Sequence, residues 1–296
     1  VRINMEHVSV FLQEVIDILE PQKRARIIDG TLDGGGHARA ILDLLPKRGV
    51  YVGIDQDQDM VARARVRMKG DERFHAVYGN FSRLEELASP VIKKADGILF
   101  DLGMSSIQLE DSGRGFSFRK DEPLDMRYDI HGSFTAENAV NSWNEEKLTE
   151  VLKTYGEERF ARRIAKRIVE ARAKSPIHTT LNLVAIVESA IPKRFHSKRI
   201  HPATKTFQAL RIAVNDELRA LEEGLADAKR MIAVHGRILV ITFHSLEDRI
   251  AKHTFRAWAK DDDFILHTKK PILPREEEIQ KNPRARSAKL RVIEKR

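Results

Sequence analysis

Three consecutive glycines, Gly34, Gly35 and Gly36, follow the short β-branched run RIIDGTL, and a helical pattern starts at His37. Glycines at such a strand-to-helix turn let the backbone take positive φ and let a ligand approach where a Cβ would stand. Twenty residues past Gly35, Asp55 ends a second apolar run, VYVGID. A carboxylate in that place can accept both hydroxyls of an adenosine ribose. Alone, the glycines would be a tight turn and Asp55 a helix N-cap. Together, at this spacing, they describe a ligand site. The G-x-G-x-x-G fingerprint that seats a pyrophosphate on a helix N-terminus is absent. The spacing therefore leans towards S-adenosylmethionine, which has no phosphate and needs only a loop around its aminoacyl part.

Two further strand ends belong to the same edge. The third run, FHAVYGN, leads into Phe81, which either borders an adenine or packs under the next helix. The fourth ends in Asp101-Leu102-Gly103-Met104-Ser105-Ser106, where the chemistry of an open sheet is expected. From Arg24 to Leu102 short β-branched runs alternate with amphipathic stretches, which predicts a parallel sheet with helices on its faces. The alternation stops at Gln108. Helical patterns such as Glu145 to Ala173 follow, and Leu210, Val214, Leu218, Leu221, Leu225, Ala228 and Ile232 recur as one helix face would. RILVITFH resumes the sheet, and two closing strands are expected around Phe264 to Lys269 and Leu290 to Glu294. The reading is a doubly wound α/β domain of residues 1–107 and 207–296, interrupted by a mostly helical insertion of residues 108–206.

Charge is localised. Arg159 to Lys205 holds twelve Lys/Arg and two acids, so it carries +10 of a net charge of +8 and the remainder sums to −2. Lys269 to Arg296 holds ten Lys/Arg and four acids. This is the footprint of a phosphate-bearing partner. Arg162, Arg163, Arg167, Lys198, Arg199, Lys205, Arg284 and Arg286 are the candidate RNA contacts. In Arg159 to Lys174 the basic positions lie along one side of a helix whose other side is Phe160, Ile164 and Ile168. The absence of Cys excludes disulfides, thiolate zinc and cysteine nucleophiles, and no metal is expected. The opening residues carry no signal-like apolar core and no run is long enough for a bilayer span, so a cytoplasmic location is expected. His244-Ser245-Leu246-Glu247-Asp248 holds hydrolase residue types, but neighbours on one strand end cannot converge as a triad. Ser245 as N-cap with Asp248 at N3 accounts for them.

DGTLDGGGH, FDLGMSSIQL, RGFSF followed by PLDMR, TYGEERFARRIA, HPATKTFQALRI, TFHSLEDRI and NPRARSAKLR together resemble the 16S ribosomal RNA cytosine-N4 methyltransferase family. The resemblance runs from His7 to Arg291. It implies a class I (Rossmann-like) methyltransferase fold with a helical insertion, S-adenosylmethionine as cofactor, and methylation of a decoding-region cytosine near the ribosomal P site. The cofactor contacts it implies fall on Gly35, Gly36, His37, Asp55, Phe81, Asp101 and Gln108, beside Gly34 of the same turn. For His37 and Gln108 the resemblance is the only basis.

The N4 lone pair of cytosine is delocalised into the ring, so its methylation needs in-line placement and polar acceptors on the N–H groups. Asp101 and the hydroxyl of Ser105 are the candidates. DLGMSS lacks the two prolines and the aromatic that many amino-methyltransferases carry here, which leaves the base-stacking partner open. Phe116 and Phe118 either take that role or anchor their loop in the core, and the loop from Asp111 to Arg127 is expected to close over the base. The expected partner is 16S ribosomal RNA within the small subunit, and a homodimer is compatible with the sequence. The rivals are another class I methyltransferase acting on a different nucleic-acid amine, a small-molecule methyltransferase, a noncatalytic RNA-binding protein and a nicotinamide dehydrogenase.

Overall fold

The computed structural model describes residues 9–197, 200–260 and 262–296. In chain order the first stretch runs α1 (Leu12–Leu19), β1 (Arg26–Asp29), α2 (Gly36–Leu44), β2 (Val50–Asp55), α3 (Gln58–Arg67), β3 (Phe74–Tyr78), α4 (Leu84–Ala88) and β4 (Ala95–Asp101). Helices then follow without a strand: α5 (Ser106–Asp111), α6 (Ala136–Ser142), α7 (Glu145–Thr154), α8 (Ala161–Arg172), α9 (Thr180–Ala190), α10 (Thr204–Asn215) and α11 (Glu217–Met231). The sheet resumes with β5 (Ile232–Thr242), and α12 (Ser245–Trp258), β6 (Phe264–Leu266), α13 (Glu276–Lys281) and β7 (Lys289–Lys295) complete the chain.

These strands form a seven-stranded sheet of order β3-β2-β1-β4-β5-β7-β6. β1 to β5 are parallel, while β7 runs antiparallel to both β5 and β6. The period of two along each strand sends alternate residues to opposite faces. Ile28, Val52, Ile98, Phe100 and Val240 pack with residues of α4, α11 and α12. Ile27, Tyr51, Leu99, Leu239 and Ile241 pack with residues of α1, α2 and α3. The strand order turns back between β1 and β4, so the loops leaving these two strands diverge and open a crevice at their carboxyl ends.

The chain divides into two compact units. One runs to Ser105 and resumes from Leu218 to Arg296, and the other is Ser106–Glu217. Residue 207, expected to begin the resumed sheet domain, instead lies in α10 of the helical unit. Gln208 Nε2 and Lys205 Nζ of α10 donate to the carbonyls of Tyr155 and Glu157, which ties the helix to the end of α7. The apolar repeat from Leu210 to Ile232 is likewise two helices and the start of a strand. Asp216 takes a left-handed φ of 51° and breaks it. The pattern from Glu145 to Ala173 is also broken, because Glu157 is left-handed and a Cβ at Gly156 would stand 2.7 Å from the carbonyl oxygens of Leu152 and Lys205.

Candidate active site

Asp29 ends β1 and is buried. Its Oδ2 accepts from the Tyr51 hydroxyl at 2.6 Å and its Oδ1 from the Thr31 amide at 3.0 Å. The Thr31 hydroxyl in turn accepts from the amide of Asp101, the last residue of β4, at 2.5 Å. A chain of four residues thus links Tyr51 in β2 to the carboxyl ends of β1 and β4 across the switch point. Burial pushes the Asp29 carboxyl above the usual range, and the Tyr51 hydrogen bond opposes that shift. Burial, then the Asp29 charge, pushes the Tyr51 hydroxyl well up. Asp29 and Thr31 lie inside DGTLDGGGH, yet neither they nor Tyr51 are candidate site residues by sequence. An Asp between a β-branched run and a glycine turn, with a Tyr inside a buried strand, is a weak pattern until the strands are paired.

The glycine turn is held by Asp55. Its Oδ2 accepts from the Asp33 amide at 2.7 Å and its Oδ1 from the Asp57 amide at 2.8 Å. Within the turn the left-handed positions are Asp33, at φ 48°, and Gly35, at φ 78°. Positive φ therefore accounts for only one of the three glycines. Gly35 caps α2, and a Cβ there would fall 2.4 Å from Cε of Met68. Asp33 is the unexpected member: the Asp55 carboxylate holds its amide in a conformation that non-glycine residues rarely take. Burial, opposed by those two amide bonds, raises the Asp55 carboxyl to about 7. Burial and then the charge of Asp55 push Asp33 well above the usual carboxylate range.

His37 enters in the first turn of α2 with its side chain 5% exposed. Its Nε2 lies 3.2 Å from Oδ2 of Asp101. That distance suits an ion pair, yet among the described residues neither imidazole nitrogen has a hydrogen-bond partner, and Asp101 Oδ1 has none either. Buried polar atoms are almost always satisfied, so three orphans at one strand end mark a place built for a ligand.

Other expected residues fall differently. Phe81 stands edge-on to Phe100 with ring centroids 5.5 Å apart, and its ring lies where a Cβ on Gly224 of α11 would fall, 2.8 Å from Cδ2. It packs against the core beneath the sheet edge. Ser105 is 1% exposed and its hydroxyl donates to Met60 Sδ at 3.6 Å, so it faces the interior. Gln108 is 3% exposed within α5, in the helical unit. Phe116 is buried and stacked on Tyr128 at 5.2 Å, which makes it an anchor for its loop and removes it as an open base platform. Phe118 lies 4.7 Å from the His201 ring and 5.1 Å from Phe207. The loop from Asp111 to Arg127 is stitched into its own unit. The Thr180 amide donates to the Glu122 carbonyl, the Leu124 amide to the His178 carbonyl, and the Thr180 hydroxyl to the Lys120 carbonyl. Those bonds make it a built wall, contrary to the expectation of a closing flap.

In α8 the buried positions are Ala161, Ile164, Ala165 and Ile168, while Arg162, Arg163, Lys166 and Arg167 are exposed. Phe160 precedes the helix as its N-cap, so it does not share the apolar face. Lys205 is exposed with its Nζ on the Glu157 carbonyl. Arg284 and Arg286 belong to the 3-10 turn Pro283–Ser287 of the sheet unit, the first half-buried and the second exposed. Lys198 and Arg199 lie outside the described residues. The N-cap of α12 is His244, one residue earlier than expected. Its Nδ1 accepts from the Glu247 amide, and Glu247 Oε2 accepts from the Phe243 and His244 amides. A capping box accounts for this stretch without catalysis.

An open sheet in this strand order, closed by an antiparallel final strand and with carboxylates at its switch point, defines a class I methyltransferase. The chain belongs to the MraW methylase family, whose sequence pattern matches residues 4–296. It is 45% identical over 306 residues to the ribosomal RNA small subunit methyltransferase H of Clostridioides difficile, covering 98% of each chain. It is 47% identical over 309 residues to the enzyme of the same description from Geotalea daltonii, covering 99% of each. Among solved structures it is similar to an rRNA methylase from Streptococcus thermophilus, with a TM-score of 0.45 and 10% identity over 96% of this chain and 92% of that one.

Proposed function

We infer that this chain transfers a methyl group from S-adenosylmethionine to the exocyclic N4 of a cytosine in the decoding region of 16S ribosomal RNA. Membership of the MraW methylase family and the near full-length identity to ribosomal RNA small subunit methyltransferases support the reaction. The observation in the fold that carries it is the orphaned set at the switch point, His37 Nδ1 and Nε2 with Asp101 Oδ1.

The residues suit this cofactor. S-adenosylmethionine carries a sulfonium and an ammonium, and it supplies an electrophilic methyl group. Asp29, Asp33, Asp55 and Asp101 cluster at the ends of β1, β2 and β4 and the turn after β1, where burial and, behind it, mutual repulsion raise the Asp29 and Asp33 carboxyls, so added positive charge would relieve them. A phosphate cofactor would meet repulsion there. Asp55, already fixed by two amides, is placed to accept from the ribose hydroxyls, and the turn Gly34 to Gly36 to border the aminoacyl part. The imidazole of His37 stands ready for a polar group of the ligand. Phe81 and Asp101 complete the contacts assigned within the sheet unit.

Asp101 is the residue assigned to the amine. Cytosine N4 carries two hydrogens and retains one after methylation, so one proton must leave. The partnerless Oδ1 of Asp101 can accept an N–H of the amine, orient its lone pair and take that proton. Ser105, turned to Met60, has no such part. The exposed cations of α8 would hold RNA phosphates and set its position without reading sequence. Methyl incorporation into small-subunit RNA lacking the mark, followed by mass-spectrometric mapping, tests the reading. Label on any atom other than a cytosine N4 refutes it.

A further inference from the structure

In the helical unit, Phe195 closes the 3-10 turn Lys193–Phe195 and is 40% exposed. A single exposed aromatic needs no explanation, but the groups around this one do. The guanidinium carbon of Arg194 lies 5.0 Å from its ring centroid and that of Arg159 lies 5.1 Å away. Arg159 also lies 5.6 Å from the ring of Phe160, whose centroid is 5.2 Å from that of Phe195 at a tilt of 51°. Two exposed arginines and two aromatics thus share one small cluster, built from the start of α8 and the turn after α9.

We propose that Phe195, with Arg159 and Arg194, is a stacking platform for an unpaired nucleobase of the RNA substrate, separate from the site that takes the methylated base. The proposal rests on the reading of the chain as an RNA methyltransferase. Aromatic faces and guanidinium planes both stack on bases whatever their identity, and the positive charge answers the neighbouring phosphate. A protein interface also enriches aromatics and arginine, but sets them in a core otherwise depleted of charge inside a rim of mixed polar groups. Here the rim is cationic and passes directly into the exposed arginines of α8, with Glu170 as the acid interleaved there, paired to Arg167 at 2.9 Å. Planar stacking surface beside a row of cations is the chemistry of single-stranded nucleic acid.

The test uses the full chain and two fluorescein-labelled probes of equal length, a single-stranded oligoribouridylate, whose bases lack the amine that Asp101 is assigned, and an abasic oligomer with the same phosphates. The unaltered protein should bind the first about tenfold more tightly at a given salt concentration, the lower range for one stacked base. Phe195→Ala and Phe195→Leu should erase that preference while leaving the salt dependence unchanged, and Phe195→Trp should keep it. Leu preserves apolar bulk without a π face, so its agreement with Ala excludes a general loosening, and unchanged melting temperatures check folding. Retention of the preference in both variants overturns the platform. So does equal binding of the two probes by the unaltered protein. Absence of salt-dependent binding to either probe by the unaltered protein would instead overturn the RNA reading itself.

Discussion

Replacing Asp55 by Asn separates the task its carboxylate performs in the turn from the one proposed for it on the ribose. The change is nearly isosteric, but one oxygen becomes a donor facing an amide, either that of Asp33 or that of Asp57, where it now accepts at 2.7 and 2.8 Å. It also removes the charge. Burial raises this carboxyl to about 7 in the free protein. In the proposed site the ribose hydroxyls and the cationic groups of S-adenosylmethionine would favour the ionised form, so cofactor binding should drive off its proton. Affinity must then rise with pH and level off above about 7, and between pH 6 and pH 8 the gain is about tenfold. Removing hydrogen bonds to a charged acceptor costs roughly 1.5 to 3 kcal/mol, or about 10- to 150-fold in Kd at pH 8. Isothermal titration at both pH values reads these effects, with the variant serving as the control for titration of the cofactor itself. The free protein should follow the same sign. A carboxyl raised in the folded state stabilises below its unfolded pKa and loses that contribution as pH rises through about 7, so the unaltered chain should lose stability over this window more steeply than the variant. An unchanged Kd for Asp55→Asn, or a variant with the same pH dependence as the unaltered chain, would refute the reasoning.

Tyr51→Phe leaves Asp29 Oδ2 buried without its donor, at a cost of about 1 to 3 kcal/mol in urea unfolding. The carboxyl then rises further, so the cost should grow as pH rises and the carboxyl ionises, and a cost that stays constant from acid to alkaline pH would show that the hydroxyl does not hold the charge. His37→Phe removes two buried nitrogens that have no hydrogen-bond partner among the described residues, so the melting temperature of the free protein should not fall, while cofactor binding weakens about tenfold in titration. A large drop in melting temperature with unchanged Kd would make His37 a structural residue. Reversing Arg162, Arg163 and Arg167 to Glu on the exposed face of α8 should weaken RNA binding and reduce its salt slope by about 0.7 for each single-strand phosphate that is no longer neutralised. Equal affinity and slope, by filter binding across salt concentrations, would remove this face from the RNA path.

The alternation of apolar runs made the parallel sheet readable because its strands are buried on both faces and its helices on one. Strand ends were less readable. The run RILVITFH begins at Arg237, yet β5 starts at Ile232, since a register shift against β4 spans Ala95 to Gly97 and His235 takes a φ of 60°. A bulge of this kind has no period to betray it. A similar cause split the helix pattern at Asp216, the left-handed C-cap of α10, and at Glu157, a left-handed residue in the turn between α7 and α8. Such positions are set by tertiary bonds. The Glu157 carbonyl, for example, accepts from Lys205 Nζ of α10 at 2.9 Å.

The site shows why motif and mechanism part company here. DGGGH announces a ligand loop, but the strained member of that loop is Asp33, whose amide is held by Asp55 of the neighbouring strand. The acid that reads as a ribose acceptor is therefore also the clamp that shapes the glycine turn. Spacing alone displays only the first of these tasks, because the second needs β1 and β2 in register, with Asp29 opposite Gly53 and Asp55 two residues further on. The two tasks are coupled. A proton on Asp55 weakens its hold on the Asp33 amide as it abolishes the charge, so on the proposed assignment cofactor binding at neutral pH would both ionise the acid and tighten the glycine turn. Cofactor binding should accordingly slow hydrogen exchange at the Asp33 and Asp57 amides. Unaltered exchange at both, with cofactor saturating, would show that the clamp is already closed and that Asp55 acts on the ribose alone.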